Sequence, residues 1–374
     1  MKKITILGRG NAGCLSAMHF YKYRGTKNKP VEIEMIYDPE IPPVPTGQGT
    51  LPEFSKLLWT CFGTSTFEGI PMKIKTGIMY ENWGTKKEKF LHEFPLGTYG
   101  LHISPADFQN HVCKNLQINF KEKKENILTY DQVDADYIID CRGTPNDFKE
   151  YDTLINPINC ALLANLPKKN NDVIWTRCVA TLNGWTFYIP LPETTSVGYL
   201  FNSDITSKEE AEKDFKNIFE VEKINQVFPF KQYIAKNPII DSRVFLNGNK
   251  LFFLEPLEAT AMSSYMQVNR YIWDFLFNDI PEEKINEAIK TSLYNVQDFI
   301  LWHYGIQSKF DSQFWKYAND LYKKNKPKSI RNVLFAMDNL DEKRKHFLRD
   351  SGFLFAQWGL HSFKNWKESV SFIK

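Results

Sequence analysis

Apolar and polar positions along this chain switch between two periods, and the switches mark its elements. Lys2 to Leu7 is a short apolar run ending at a glycine, the pattern of a buried strand. Asn11 to Tyr23 then carries Ala12, Leu15 and His19, or Leu15, Met18 and Tyr21, at helical spacing. Residues 24 to 30 are polar and read as a loop, after which Val31 to Tyr37 predicts a second strand closing at Asp38. The opening is a βαβ unit. Ile41 to Pro52 holds too many prolines and glycines for a regular element yet is apolar enough to lie against something, which predicts a shaped loop over a ligand. Asp136 to Gly143 repeats the pattern of a short buried strand and turn, predicting another parallel strand of the first sheet. Thr176 to Ala180 and Gly184 to Pro190 predict antiparallel strands, and Lys208 to Phe219 and Ile285 to His303 predict helices. Beyond Pro281 the pattern is mostly helical, with lysine-rich loops around Lys323 to Lys328 and neither internal repeat nor long linker.

Composition narrows the class without naming it. At 374 residues the chain exceeds the usual single-domain size, which predicts one integrated multilayer unit or two interleaved ones with ample core. Its 43% hydrophobic and 24% charged residues are those of a folded, water-soluble protein. A net charge of +3 is too small a surplus for a phosphate-tracking protein, so no nucleic-acid partner is expected. The six cysteines show no CxxC and no histidine at metal-ligand spacing; neither a metal site nor a disulfide framework is expected, and a reducing, cytoplasmic setting is the simplest reading. The first apolar run is too short for a secretion signal and no 18 apolar residues follow one another, so no membrane partner is expected either.

Three segments carry chemistry. Gly8-Arg-Gly-Asn-Ala-Gly13 is GxGxxG between a strand and a helix: the first glycine makes the turn, the second lets backbone approach a pyrophosphate, and the third packs helix on strand. Asp38, at the end of the second strand, is the acidic partner for a ribose hydroxyl. The pattern points to a dinucleotide and leaves open which one; no second GxGxxG follows a strand elsewhere. Gly184-Trp-Thr-Phe-Tyr-Ile-Pro190, followed by Gly198-Tyr, reads by period alone as a half-buried aromatic strand. Gly248 to Ala261 contains Glu255-Pro-Leu-Glu258-Ala-Thr260-Ala261 and turns into an amphipathic helix through Tyr265, Val268, Ile272 and Phe275. The N–H groups of Thr260 and Ala261 then stand in a first helical turn, suited to a small anion or a flavin oxygen, unless the helix is ordinarily capped.

In their order these segments resemble the flavin-dependent tryptophan halogenase family, with its N-terminal GxGxxG, its GWxWxIP segment and its EPLEST-like turn. Ile41-Pro to Gly47-Gln-Gly-Thr-Leu-Pro52 is similar to the family's GxGEAT loop, and Asp298-Phe-Ile with His303-Tyr304 and Phe314-Trp315 to its helical segment. The resemblance implies an α/β fold: an FAD-binding Rossmann-like sheet of the glutathione-reductase/hydroxylase type, an interleaved antiparallel sheet and a helical C-terminal substrate region. It implies FAD-binding layers at 1–55, 130–160 and 240–280, substrate layers at 60–130 and 165–240, and the helical region at 281–374. FAD would lie on Gly8, Gly10, Asn11, Ala12, Gly13, Asp38, Gly47, Gln48, Gly49 and Thr50.

Alignment on Asn82-Trp83 makes Lys75 the lysine that meets the oxidising halogen, although a strand lysine is ordinarily a solvated surface residue. The catalytic glutamate falls on Glu258, and the halide on the N–H groups of Thr260 and Ala261. The implied reaction uses reduced flavin, O2 and a halide (chloride, bromide or iodide) to make hypohalous acid, which Lys75 aims at an electron-rich aromatic of indole or phenol type. A separate flavin reductase is the implied protein partner; monomer and homo-oligomer both stay open. His102, Trp185 and Phe187 are substrate-side positions by resemblance, a hydrogen-bonded core histidine being the other reading of His102. Departures are Phe187 for the second Trp of GWxWxIP, Gln48 for the loop glutamate, and Ala259 and Ala261 for the serine and glycine of EPLEST. The rival readings are a flavin-dependent aromatic monooxygenase and a flavin-binding protein that has lost turnover.

Overall fold

The structure is a computed structural model that describes residues 1–26, 29–63, 70–116, 120–168, 173–339 and 358–373. Its helices are α1 (Asn11–Thr26), α2 (Pro52–Phe62), α3 (Pro105–Asn115), α4 (Lys208–Phe219), α5 (Ala261–Phe277), α6 (Glu282–His303), α7 (Gln313–Asn325), α8 (Lys328–Asn339) and α9 (Leu360–Ser369). Two compact units share the chain: unit 1 takes Met1–Met72, Ile103–Thr153 and Tyr233–Leu293, and unit 2 takes Lys73–His102, Leu154–Gln232 and Tyr294–Lys374.

Unit 1 is built on the predicted βαβ opening. Lys2–Leu7 lies between Val31–Tyr37 and Tyr137–Asp140, parallel to both, with Ile4 opposite Ile33 and Tyr137. Phe120–Lys124 adds at one edge; Val244–Leu246 and then Ile239–Ile240 complete six strands at the other. Ile4, Ile6, Ile33, Met35, Ile138 and Ile139 have no exposed surface, as central parallel strands covered on both faces require. A small antiparallel sheet of Tyr151–Thr153, Tyr233–Ala235 and Phe252–Phe253 belongs to the same unit. Helix α1 runs to Thr26, beyond the Tyr23 expected, because the first strong stop in the sequence is Pro30. Of the expected polar loop, residues 27 and 28 lie outside the described residues, as do 64–69, 117–119 and 169–172 of the expected substrate layer and 340–357 of the helical region.

Unit 2 holds a seven-stranded sheet in the order Gln226–Pro229, Cys160–Pro167, Thr194–Phe201, Gly184–Pro190, Thr176–Thr181, Gly77–Glu81, Lys89–Glu93. All neighbours are antiparallel except Thr176–Thr181 and Gly77–Glu81. Gly184–Pro190 is not half-buried: all seven of its residues are buried. The reason is its central place. Tyr188 joins a core with Val197, Tyr199 and Phe215 and Phe219 of α4, while the Trp185 ring lies 6.2 Å from that of Trp83 and its Nε1 donates to Tyr304 Oη at 3.0 Å. Trp315 Nε1 donates to the Thr181 carbonyl at 2.8 Å, so the helical residues of the C-terminal third help close this core. Among the described residues, no helix is long and apolar enough to cross a membrane.

Candidate active site

The glycine turn in unit 1 shows a separate physical reason for each glycine. Gly8 has φ +100°, and a Cβ there would stand 2.9 Å from the Cys141 carbonyl oxygen. Gly13 packs so closely that a Cβ would lie 2.0 Å from the Gly8 carbonyl oxygen. A Cβ at Gly10 would meet nothing within 4 Å, so the second glycine borders open space. The turn is held by Gly8 N–H donating to Ile36 O at 2.8 Å, and α1 starts with Cys14 N–H on Gly10 O at 3.0 Å. The N–H groups of Asn11, Ala12 and Gly13 therefore precede the first intrahelical bond, at the positive end of a sixteen-residue helix. Open space at the second glycine, in front of that helix end, fits a pyrophosphate, as FAD binding requires.

Around the turn, Asp38 gives one oxygen to Glu40 N–H at 2.9 Å. In the 47–50 loop, Gln48 Nε2 donates to Thr46 O at 3.2 Å, and Thr50 is fully buried. Sequence reasoning missed the wall beside Gly8. Asp140, with no exposed surface, accepts from Arg142 Nε at 2.9 Å and Nη2 at 2.7 Å and from Tyr130 Oη at 2.8 Å. Asp140 was visible only as a strand end.

The segment before α5 is strained where the resemblance places chemistry. Glu258 and Ala259 have φ +65° and +55°, a conformation that costs a non-glycine residue about 1–2 kcal/mol. Glu258 is fully buried in this turn, and Thr260 caps α5. One residue into the helix from Met262, the Ser263 hydroxyl is buried and meets no hydrogen-bond partner among the described residues. An orphaned hydroxyl in the first turn of a seventeen-residue helix fits a small anion better than an apolar group. A buried polar network fixes this helix against α1: Ser16 Oγ donates to Asn269 Oδ1 at 2.9 Å, and Asn247 Nδ2 donates to Asn269 Oδ1 at 3.1 Å and to Tyr265 O at 3.2 Å.

Unit 2 holds the remaining predicted residues. Lys75 ends the strand Met72–Lys75 and has no exposed surface, so the solvated-lysine reading does not hold. Its ammonium lies 5.5 Å from the centre of the Phe94 ring. His102, on the neighbouring strand Gly100–Ile103, is equally buried and shares a 2.8 Å hydrogen bond between Nε2 and Thr176 Oγ1. Burial, and after it the positive charges of Lys75 and Lys73, hold the His102 imidazole well below its ordinary value, so the ring is neutral. Its Nδ1 meets no partner among the described residues. Trp185 is a core side chain, its N–H committed to Tyr304, and the Phe187 ring fills the place where Gly198 lacks a Cβ, 2.3 Å from an ideal one. The structure thus gathers the glycine turn, Glu258, Thr260 and Ala261 in unit 1, and Lys75, His102, Trp185 and Phe187 in unit 2.

Comparison with known proteins places this geometry. The family model for tryptophan halogenases matches residues 3–131 and 126–370. A tryptophan 7-halogenase of Kutzneria sp. (strain 744) is 22% identical over 86% of this chain and 79% of its own length. Another tryptophan 7-halogenase, from Lentzea aerocolonigenes, is 22% identical over 85% of this chain and 79% of its own. The crystal structure of a tryptophan halogenase from Shewanella frigidimarina NCIMB 400 superposes with a TM-score of 0.80 at 17% identity, covering 100% of this chain and 90% of that one. A flavin-dependent halogenase from Brevundimonas sp. BAL3 does so with a TM-score of 0.74 at 16% identity, covering 90% and 84%. These structures share the FAD-binding Rossmann-like fold found here. With one family's model running from residue 3 to residue 370, the chain belongs to the tryptophan halogenase family.

Proposed function

We propose that the chain is an FAD-dependent halogenase acting on an electron-rich aromatic compound. Bound reduced FAD supplies, with O2 and a halide, the two-electron oxidation that makes hypohalous acid. The glycine turn and the mouth of α1 hold the pyrophosphate, with Asp38 on the ribose and residues 47–50 covering the cofactor. The first turn of α5 holds the halide on the N–H groups of Thr260 and Ala261, with the Ser263 hydroxyl as a third donor. Lys75 receives the halogen, either as a hydrogen-bonded acid or on its neutral amine, and presents it to one aromatic carbon. Glu258 polarises the halogen donor or takes up the proton the ring releases. His102, neutral, lines the substrate side.

The observation that carries this reading is the complete burial of Lys75. Lysine is almost never fully buried without a task or a partner, and here it occupies the position given by alignment on Asn82-Trp83. The substrate class proposed is an electron-rich aromatic of indole or phenol type. A separate flavin reductase supplies the reduced cofactor.

The test supplies reduced FAD, O2 and chloride, bromide or iodide over a panel of indoles and phenols, and reads halogenated product by mass spectrometry. Product with at least one halide is expected; a flavin-loaded protein that yields none with any halide overturns the proposal. Lys75→Ala, and Lys75→Met to keep the packing, should abolish product while flavin still binds. Halogenation at the wild-type rate in the correctly folded variants would mean that the Asn82-Trp83 alignment is wrong.

A further inference from the structure

A second group of reactive side chains lies in unit 1 and takes no part in the roles above. Arg9, inside the glycine turn, donates through Nε to Cys113 Sγ at 3.3 Å and through Nη2 to Asn110 Oδ1 at 2.8 Å. Its guanidinium lies 5.2 Å from the centre of the Tyr37 ring and 3.9 Å from Glu122 Oε1. Cys14, in the first turn of α1, is fully buried; its thiol donates to Arg9 O at 3.3 Å and lies within interaction range of the Cys113 thiol. Cys113, near the end of α3, is partly exposed. One thiol is accessible and the other is sealed behind it, with one arginine touching both.

The electrostatics divide the two chemically. Donation from the Cys14 thiol, and then the hydrogen bond and charge of Arg9, hold Cys113 down to about 7 against burial and the charge of Glu122. Burial pushes Cys14 well above the ordinary thiol range. Elsewhere burial lifts Cys61 to about 12 and raises Cys141 and Cys160. Cys113 is therefore partly thiolate at neutral pH, and Cys14 stays protonated beside it.

We propose that Cys113 and Cys14 form an oxidative modification site at which a small hydroperoxide oxidises Cys113 and Cys14 then closes a disulfide between α1 and α3. In the first step the Cys113 thiolate attacks one oxygen of hydrogen peroxide: an S–O bond forms, the O–O bond breaks and hydroxide leaves, so sulfur loses two electrons and peroxide gains them. In the second step the Cys14 sulfur displaces that oxygen: an S–S bond forms, the S–O bond breaks, and the thiol proton leaves with the oxygen as water. The oxidant is hydrogen peroxide, the product of O2 and reduced flavin whenever the halide does not intervene.

The disulfide removes the anionic acceptor of Arg9 Nε from within the glycine turn. Flavin affinity should therefore fall on oxidation, a consequence that rests on the flavin reading, whereas formation of the disulfide does not.

The experiment treats the purified full-length protein with about an equivalent of hydrogen peroxide and maps its cysteines by non-reducing peptide mass spectrometry. A Cys14–Cys113 linked peptide, reversed by dithiothreitol and formed before any other thiol reacts, is expected. In Cys14→Ser, a sulfenic acid at Cys113 should be trapped by dimedone with no cross-link. First oxidation at another cysteine, or passage of wild-type Cys113 to the sulfinic acid without a cross-link, overturns the proposal. Flavin titrations of reduced and oxidised protein should differ about tenfold in Kd for the wild type and not at all for Cys113→Ser. Failure of the reduced wild type to bind FAD would refute the flavin reading while leaving the cross-link result to stand or fall by itself.

Discussion

Lys75, Glu258 and Ser263 share a property that ordinary folding does not reward: each places a polar group where water does not reach. Hydrophobic packing alone would favour an apolar residue at such positions. Ser263 offers the cleanest test because its hydroxyl meets no hydrogen-bond partner among the described residues. Ser263→Ala should leave thermal stability unchanged or slightly raised, since alanine is the better helix former. The half-saturating halide concentration should rise about tenfold, the worth of one hydrogen bond to a charged group. A halide titration of the steady-state rate, alongside a melting curve, reads both. The position of Glu258 was legible in its motif, but its left-handed backbone was not, because only a glycine would have announced it. Nor could the sequence show that Lys75 is buried. In Met72–Lys75 the polar and apolar residues alternate as they would on a strand with one wet face, and burial of the lysine comes from what packs over it.

At the level of elements, the glycine turn is the feature where sequence and structure agree most fully. A Cβ at Gly13 would have to displace backbone, because the atom it meets is the Gly8 carbonyl oxygen at 2.0 Å. Gly13→Ala should therefore push α1 off its strand, weaken FAD binding more than tenfold and destabilise unit 1 by about 2 kcal/mol or more. Flavin fluorescence titration and urea unfolding measure the two effects. Long elements were readable because their periods repeat: Val31–Tyr37, Gly184–Pro190 and α4 fall where the pattern placed them. Strands of two or three residues, such as Ile239–Ile240 and Phe252–Phe253, are too short to show a period and exist because a neighbouring strand pairs with them. Burial of both faces of Gly184–Pro190 is illegible in the sequence for a related reason. Thr186 occupies a fully buried position, so the aromatic alternation suggested a wet face that the sheet does not have.

For the molecule as a whole, acid should act through the buried His19. His19, packed 4.5 Å from the Tyr23 ring and near Trp273, is held down to about 3, chiefly by burial and then by the charges of Arg270 and Lys22. Its folded value lies below the unfolded one of about 6.5, so the unfolded chain binds the extra proton and stability falls as pH drops below that value. At about pH 5.5 the loss from His19 alone is about 1 kcal/mol relative to pH 7. Urea unfolding at the two pH values should show it, and His19→Phe should flatten the slope. The same scale shows why the division into two units was hard to read from composition or linkers. The chain passes from one unit to the other at 72/73, 102/103, 153/154, 232/233 and 293/294, with no boundary marked by a disordered spacer. That alternation bears on synthesis. On a ribosome the first strand emerges early, but Val244–Leu246, which pairs with Tyr137–Asp140, arrives some hundred residues after its neighbour. The nascent sheet must wait with that edge uncovered, so a chain stalled before residue 244 is left exposed to chaperones and proteases.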